Sequence, residues 1–224
     1  MKAATIGFLA FLWVLLGSIL FATSKPKDAN ANSAAPPPGY TAAPGDLGTC
    51  ANCHTNISGS GFAYMATTRP WGYVPGGTET LSVGIVDPSP TQTRWGFEAA
   101  ILSNSDNSSA GTITPVAFHP EWVGTAAFGG KTYLSQRSNG ATAPNDTTDG
   151  THWGHAGGIA WHFLWTGPPQ GTGGVTLYIS AVAANGDGAA SSADNTYTIN
   201  QYIPEMAPTP VTTTTWGKIK RQYH

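Results

Sequence analysis

Val175-Thr176-Leu177-Tyr178-Ile179-Ser180-Ala181-Val182 is the stretch that decides the fold. It reads as a strong β-strand, and the residues after it read as a turn: Asn185-Gly186-Asp187-Gly188 has hairpin chemistry. Thr196-Tyr197-Thr198-Ile199 is then a further strand. The same grammar repeats toward the N-terminus. Thr78-Glu79-Thr80-Leu81-Ser82-Val83-Gly84-Ile85 alternates polar and apolar residues at period two, after a turn at Tyr73-Val74-Pro75-Gly76-Gly77. Gly96-Phe97-Glu98-Ala99-Ala100-Ile101-Leu102 reads as a mostly buried strand, followed by a polar turn from Ser103 to Gly111. Trp161-His162-Phe163-Leu164-Trp165 is another strand, closed by Thr166-Gly167-Pro168-Pro169. Several short strands with regular turns and no convincing helix between them predict an all-β chain built as a β-sandwich.

Composition agrees. Charged residues make up only 10% of the chain, and Gly (28) and Pro (17) are abundant. That balance suits an exported all-β domain. A helical domain would instead be rich in Ala, Leu, Lys and Glu at helical spacing. The net charge of −2 leaves no basic field to hold nucleic acid, so that partner class is excluded.

Cys50-Ala51-Asn52-Cys53-His54 carries the chemistry. Two cysteines separated by two residues and followed by His is the attachment pattern of a c-type haem. Each thiol adds across one vinyl group of the porphyrin, and the adjacent His is held under the iron as an axial ligand. The chain has no other cysteine. A structural zinc site usually needs four Cys/His ligands, often as two Cys pairs. A disulfide or a redox Cys-x-x-Cys leaves the His unexplained. The expected cofactor is one covalent haem c, bound through Cys50, Cys53 and His54. Thr55 to Gly61 carry little helical signal, so the segment is expected to be a loop or one short turn.

The N-terminus predicts export. Met1-Lys2 is followed by an uncharged apolar run from Thr5 to Phe21, then Ala22-Thr23-Ser24 before Lys25. This is a basic n-region, a long h-region and small residues at plausible cleavage positions. The run is just short of a comfortable membrane span, so a retained leader helix acting as anchor is the alternative to cleavage. Haem c is assembled outside the cytoplasm, so motif and leader agree on a periplasmic or extracytoplasmic protein.

Five further stretches occur in order: Tyr40-Thr41-Ala42-Ala43-Pro44-Gly45; Tyr73-x-Pro75-Gly76-x-Thr78-x-Thr80-Leu81 with Gly96-Phe97; Trp161-x-Phe163-x-Trp165-Thr166-x-Pro168; and Ala183-Ala184-Asn185-Gly186-Asp187-Gly188. Together with the Cys-x-x-Cys-His segment, this set resembles exported bacterial proteins with a reeler-like, choice-of-anchor β-sandwich domain. The resemblance spans roughly residues 38 to 200 and implies an immunoglobulin-like sandwich outside the cytoplasm. It implies little biochemistry. Many relatives carry a His soon after a Tyr in a Tyr-x-Thr-His stretch. Here Tyr133-Leu134-Ser135-Gln136 takes that place, so no His carries over to position 136.

The sixth iron ligand therefore stays open. His152 and His155 lie in the Gly-rich stretch 150–158, where backbone approaches a flat macrocycle closely. One of them, with His155 ahead, is the leading candidate; two solvated loop histidines are the bland alternative. Met65, which would raise the reduction potential, and His119 are weaker candidates, and an open or water-ligated site is the remaining alternative. His162 fits a packed or edge strand position. Asn185, Asp187 and Asp194 offer oxygens of the kind calcium takes, although a hairpin turn explains them too. Trp161 and Trp165 fit the core; Trp71, Trp95 and Trp153 are expected to shield the haem or meet a partner.

The chain thus divides into a leader or anchor (1–24), a Pro-rich linker (25–45), a haem attachment segment (46–66), a β-sandwich (67–203) and a Pro/Thr linker with a short basic-aromatic tail (204–224). Trp216, Ile219 and Tyr223 share one side of a potential helical turn near Lys218, Lys220 and Arg221, a pattern suited to docking on a membrane or larger complex. Two functions follow. One is a monohaem electron-transfer protein that meets a redox partner. The other is an accessory or structural subunit of a membrane-bound electron-transfer complex, with the sandwich as the interaction module. A haem enzyme ranks third, because no distal acid/base pair is visible.

Overall fold

A computed structural model describes residues 32, 34–54, 59–69, 71–115, 122–137, 150–151, 156–190 and 193–207, all within the unit Asn32–His224. His119, His152, Trp153, His155, the leader and the tail beyond residue 207 lie outside the described residues.

Among the described residues, nine strands form two antiparallel sheets: β1 (Phe62–Thr67), β2 (Thr78–Asp87), β3 (Arg94–Ser103), β4 (Thr112–Pro115), β5 (Val123–Phe128), β6 (Lys131–Gln136), β7 (Gly157–Thr166), β8 (Val175–Ala184) and β9 (Asn195–Ile203). One sheet has the order β1-β2-β7-β4 and the other β5-β6-β3-β8-β9. The described residues are all-β, and the sheets stack as a sandwich. Every strand expected from sequence is present; β1, β4, β5 and β6 are additional.

Side-chain alternation builds the core. Leu81, Val83 and Ile85 of β2 and Trp161, Phe163 and Trp165 of β7 point inward from one sheet. Trp95, Phe97, Ala99 and Ile101 of β3 and Leu177, Ile179 and Ala181 of β8 meet them from the other. Trp161 packs on Phe97 with ring centroids 4.5 Å apart and donates from Nε1 to Gly150 O at 2.7 Å. Trp165 meets the edge of Tyr73 and donates to Ala110 O. Trp95 belongs to this core and is 1% exposed, so its expected role at the haem or a partner is corrected. Trp71 is exposed.

β3 is buried on both faces, and the second face has a specific cover. Ala43, Ala100, Leu102 and Tyr133 form a separate apolar cluster with Tyr178 packed against it. The Gly39 and Tyr40 amides donate to the two oxygens of the buried Glu98, at 3.1 and 2.6 Å. Asp46 accepts from the hydroxyls of Thr41 (2.6 Å) and Tyr133 (2.5 Å) and from Lys131 Nζ (3.2 Å). The chain ahead of the Cys motif is therefore a layer over the five-stranded sheet. Residues 39–45, read as the end of a spacer, are part of the folded body.

Two other boundaries shift. β1 pairs with β2 along its whole length, so the sandwich begins inside the stretch 46–66. Past β9, Tyr73 N–H donates to Pro204 O and Met206 N–H to Tyr73 O, while Glu205 accepts from Gly171 and Gly173. The first residues of the stretch 204–224 are thus docked on the sandwich.

Candidate functional site

The Cys motif folds as the expected single turn. Cys50–Asn52 is one turn of 3₁₀ helix, and Thr49 and Asn52 cap it reciprocally. Thr49 Oγ1 accepts from Ala51 N–H and Asn52 Oδ1 accepts from Thr49 N–H. Gly48 makes room for this box. Its φ is +155°, and a Cβ there would lie 2.2 Å from Asn52 Oδ1. Cys50 O accepts from both Cys53 N–H (3.2 Å) and His54 N–H (2.9 Å). Residues three and four apart are neighbours on a helical turn, so the motif gathers both cysteines and the histidine within one turn.

Two long-range contacts seat this turn on the five-stranded sheet. Cys50 N–H donates to the Oγ of the fully buried Ser180 on β8, at 2.9 Å. His54 Nδ1 lies 2.7 Å from Oδ2 of Asp194, which is fully buried immediately before β9. A carboxylate only accepts, so in the neutral ring Nδ1 carries the proton and Nε2 keeps its lone pair. Asp194 Oδ1 accepts in turn from Asn185 N–H at 3.0 Å. Both carboxylate oxygens are therefore spoken for.

Cys50 and Cys53 are not joined in a disulfide. Burial pushes the Cys50 thiol up to about 12; Ser180 opposes the rise, while Glu98 and Cys53 add to it. A groove of about 480 Å³ runs beside the turn, lined among others by Ala51, Phe62, Ala63, Tyr197 and Ile199. Its walls come from the turn, β1 and β9, and Phe62 is 54% exposed at its rim.

The remaining sequence candidates separate. Met65 on β1 packs against the sandwich core. His162 is exposed on β7, with Nδ1 2.6 Å from Ser82 Oγ. Gln136 is buried, and its Oε1 accepts from Phe97 N–H. Asn185 and Asp187 bond to each other and to the backbone of their own turn, while Asp194 turns to His54. The three do not share one cation site. Asp194 and Ser180 are the residues sequence reasoning missed at this site. Each is more than a hundred positions from the Cys motif, and nothing local marks either as its partner.

No family model matches the chain, and no curated protein matches it. Among solved structures, it is similar to a cohesin module from a Clostridium perfringens family 33 glycoside hydrolase. The identity is 13% and the TM-score 0.43, over 66% of this chain and 98% of that one. It is also similar to a DUF4466 family protein from Parabacteroides merdae, at 12% identity and a TM-score of 0.34, over 67% of this chain and 44% of that one. Likeness at this level bears on neither chemistry nor partners.

Proposed function

We propose that this chain is an exported, monohaem c-type cytochrome-like protein that transfers electrons, with haem c bonded through Cys50 and Cys53 and His54 as proximal iron ligand. The observation that carries the reading is the His54–Asp194 pair, 2.7 Å apart. A chance Cys-x-x-Cys-His has no reason to hold its imidazole by Nδ1 on a buried carboxylate and so keep Nε2 for a metal. Metal-ligating histidines are commonly held this way. The Cys50 thiol, pushed up to about 12 by burial, is the opposite of the low-pKa thiol that a redox dithiol needs.

When bound, haem c supplies a one-electron couple. The chain supplies the rest. Cys50 and Cys53 fix the group covalently, Asp194 orients His54, Ser180 holds the turn to β8, and the groove beside Ala51 and Phe62 offers an apolar wall. Met65 packs toward the core; His155 or His152 is the favoured sixth ligand, ahead of His119. The reading extends to a reeler-like, immunoglobulin-like sandwich in the periplasm. There it meets a redox partner or a membrane complex, with the leader and the tail as contacts to the inner membrane.

The test is the full chain made with a haem-c maturation system. Mass spectrometry should show one added haem, lost in Cys50→Ser/Cys53→Ser. Oxidised and reduced spectra should show a sharp α band, and His152→Ala/His155→Ala should turn low spin into high spin. An unmodified mass with both thiols free overturns the reading.

A further inference from the structure

We propose that Asp194 is a positioning residue that lowers the reduction potential of this site by acting through His54. The inference rests on the haem reading above and goes beyond it. Asp194 and His54 are 140 positions apart, yet His54 Nδ1 meets Asp194 Oδ2 at 2.7 Å. Asp194 is fully buried, and its side chain cannot swing away freely, because Oδ1 takes the Asn185 N–H at 3.0 Å. The Asn185 amide thus helps to aim one carboxylate at one imidazole.

The electronic consequence follows from the partner's charge. A hydrogen bond to an anion is stronger than one to a neutral carbonyl and leaves the imidazole richer in electrons. Such a bond raises the basicity of a ligating histidine. A more basic axial ligand stabilises the oxidised iron over the reduced, and second-shell hydrogen bonding is one of the levers that set haem potentials. Asp194→Asn keeps the shape and removes the charge, so the bond becomes neutral. Asp194→Glu restores the charge.

The experiment uses the full, haem-loaded chain as wild type, Asp194→Asn and Asp194→Glu, titrated by spectroelectrochemistry. Asp194→Asn should carry the same haem mass but favour the reduced state about tenfold more, a rise of about 59 mV for a one-electron couple. Asp194→Glu should recover part of the shift. Haem present in both with equal potentials overturns this inference and leaves the haem reading intact. A wild-type chain that takes up no haem overturns both. If Asp194→Asn yields no holoprotein, the wild type decides alone. The His54 Nδ1–H proton should exchange slowly with water in its NMR spectrum, and fast exchange overturns the inference.

Discussion

The backbone N–H of Cys50 donates to the Oγ of Ser180, 2.9 Å away on β8 and 130 positions along the chain. This bond ties the Cys turn to β8, an interior strand of the five-stranded sheet. Ser180 is fully buried and the Cys50 amide partly so, and Ser180→Ala takes away that donor's acceptor. The expected loss is about 1–3 kcal/mol. Urea unfolding of the two proteins measures it. A midpoint within error of wild type would show that the turn does not depend on the sheet.

The same seat governs the thiol. Burial pushes the Cys50 thiol up to about 12, and only the thiolate is nucleophilic. In a Cys53→Ser background, Cys50 of the folded chain should therefore react with iodoacetamide at pH 8 at least tenfold more slowly than in urea. Equal rates would mean an open thiol.

The strands were legible because period-two patterning is written locally. Thr78–Ile85 alternates, and β2 runs Thr78–Asp87. β4, β5 and β6 escaped notice for the opposite reason. They are short, and Thr112–Pro115 and Val123–Phe128 bury little, so no alternation stands out. Glu98 shows a different limit. A carboxylate in the middle of an apolar strand looks like a solvent face, yet it is buried by residues 39–40, which lie nearly 60 positions upstream. The Cys motif was readable from five residues; its supports, Ser180 and Asp194, were not, since they meet it only through the fold. Trp95 was misread because an aromatic residue next to an arginine carries no mark of which sheet face it occupies.

Two core tryptophans differ in one hydrogen bond, and that difference is measurable. Trp161 Nε1 donates to Gly150 O, whereas Trp95 Nε1 is buried with no partner among the described residues. Both rings are 1% exposed. Replacement by Phe removes similar volume from each, but only Trp161→Phe strands a carbonyl. Trp161→Phe should cost about 1 kcal/mol more than Trp95→Phe, the net worth of a typical buried bond. Chemical denaturation of the two variants side by side gives the difference. Equal losses would show that the Gly150 contact contributes nothing net.

Glu98 makes stability depend on pH in an unusual direction. Burial pushes its carboxyl up to about 7; the amides of Tyr40 and Gly39 oppose the rise, and Asp46 adds to it. Between about 4.5, the ordinary value, and about 7, the folded chain holds a proton that the unfolded chain has released. Stability then falls as pH rises through that window, with a limiting slope of about 1.4 kcal/mol per pH unit, and levels off above it. Asp46 works the other way. Burial pushes its carboxyl up, but the bonds from Thr41, Tyr133 and Lys131 outweigh this and hold it below the ordinary 3.8. Its contribution is present above that value and lost as pH falls further. Wild type should thus be most stable near pH 4.5 to 5 and weaken toward neutrality. Glu98→Gln, which carries no proton to lose, should flatten the upper limb while keeping the acid limb. Urea midpoints of both proteins from pH 3 to 8 provide the comparison. Parallel curves across pH 5 to 7 would show that Glu98 is ionised throughout and that its two backbone donors outweigh its burial.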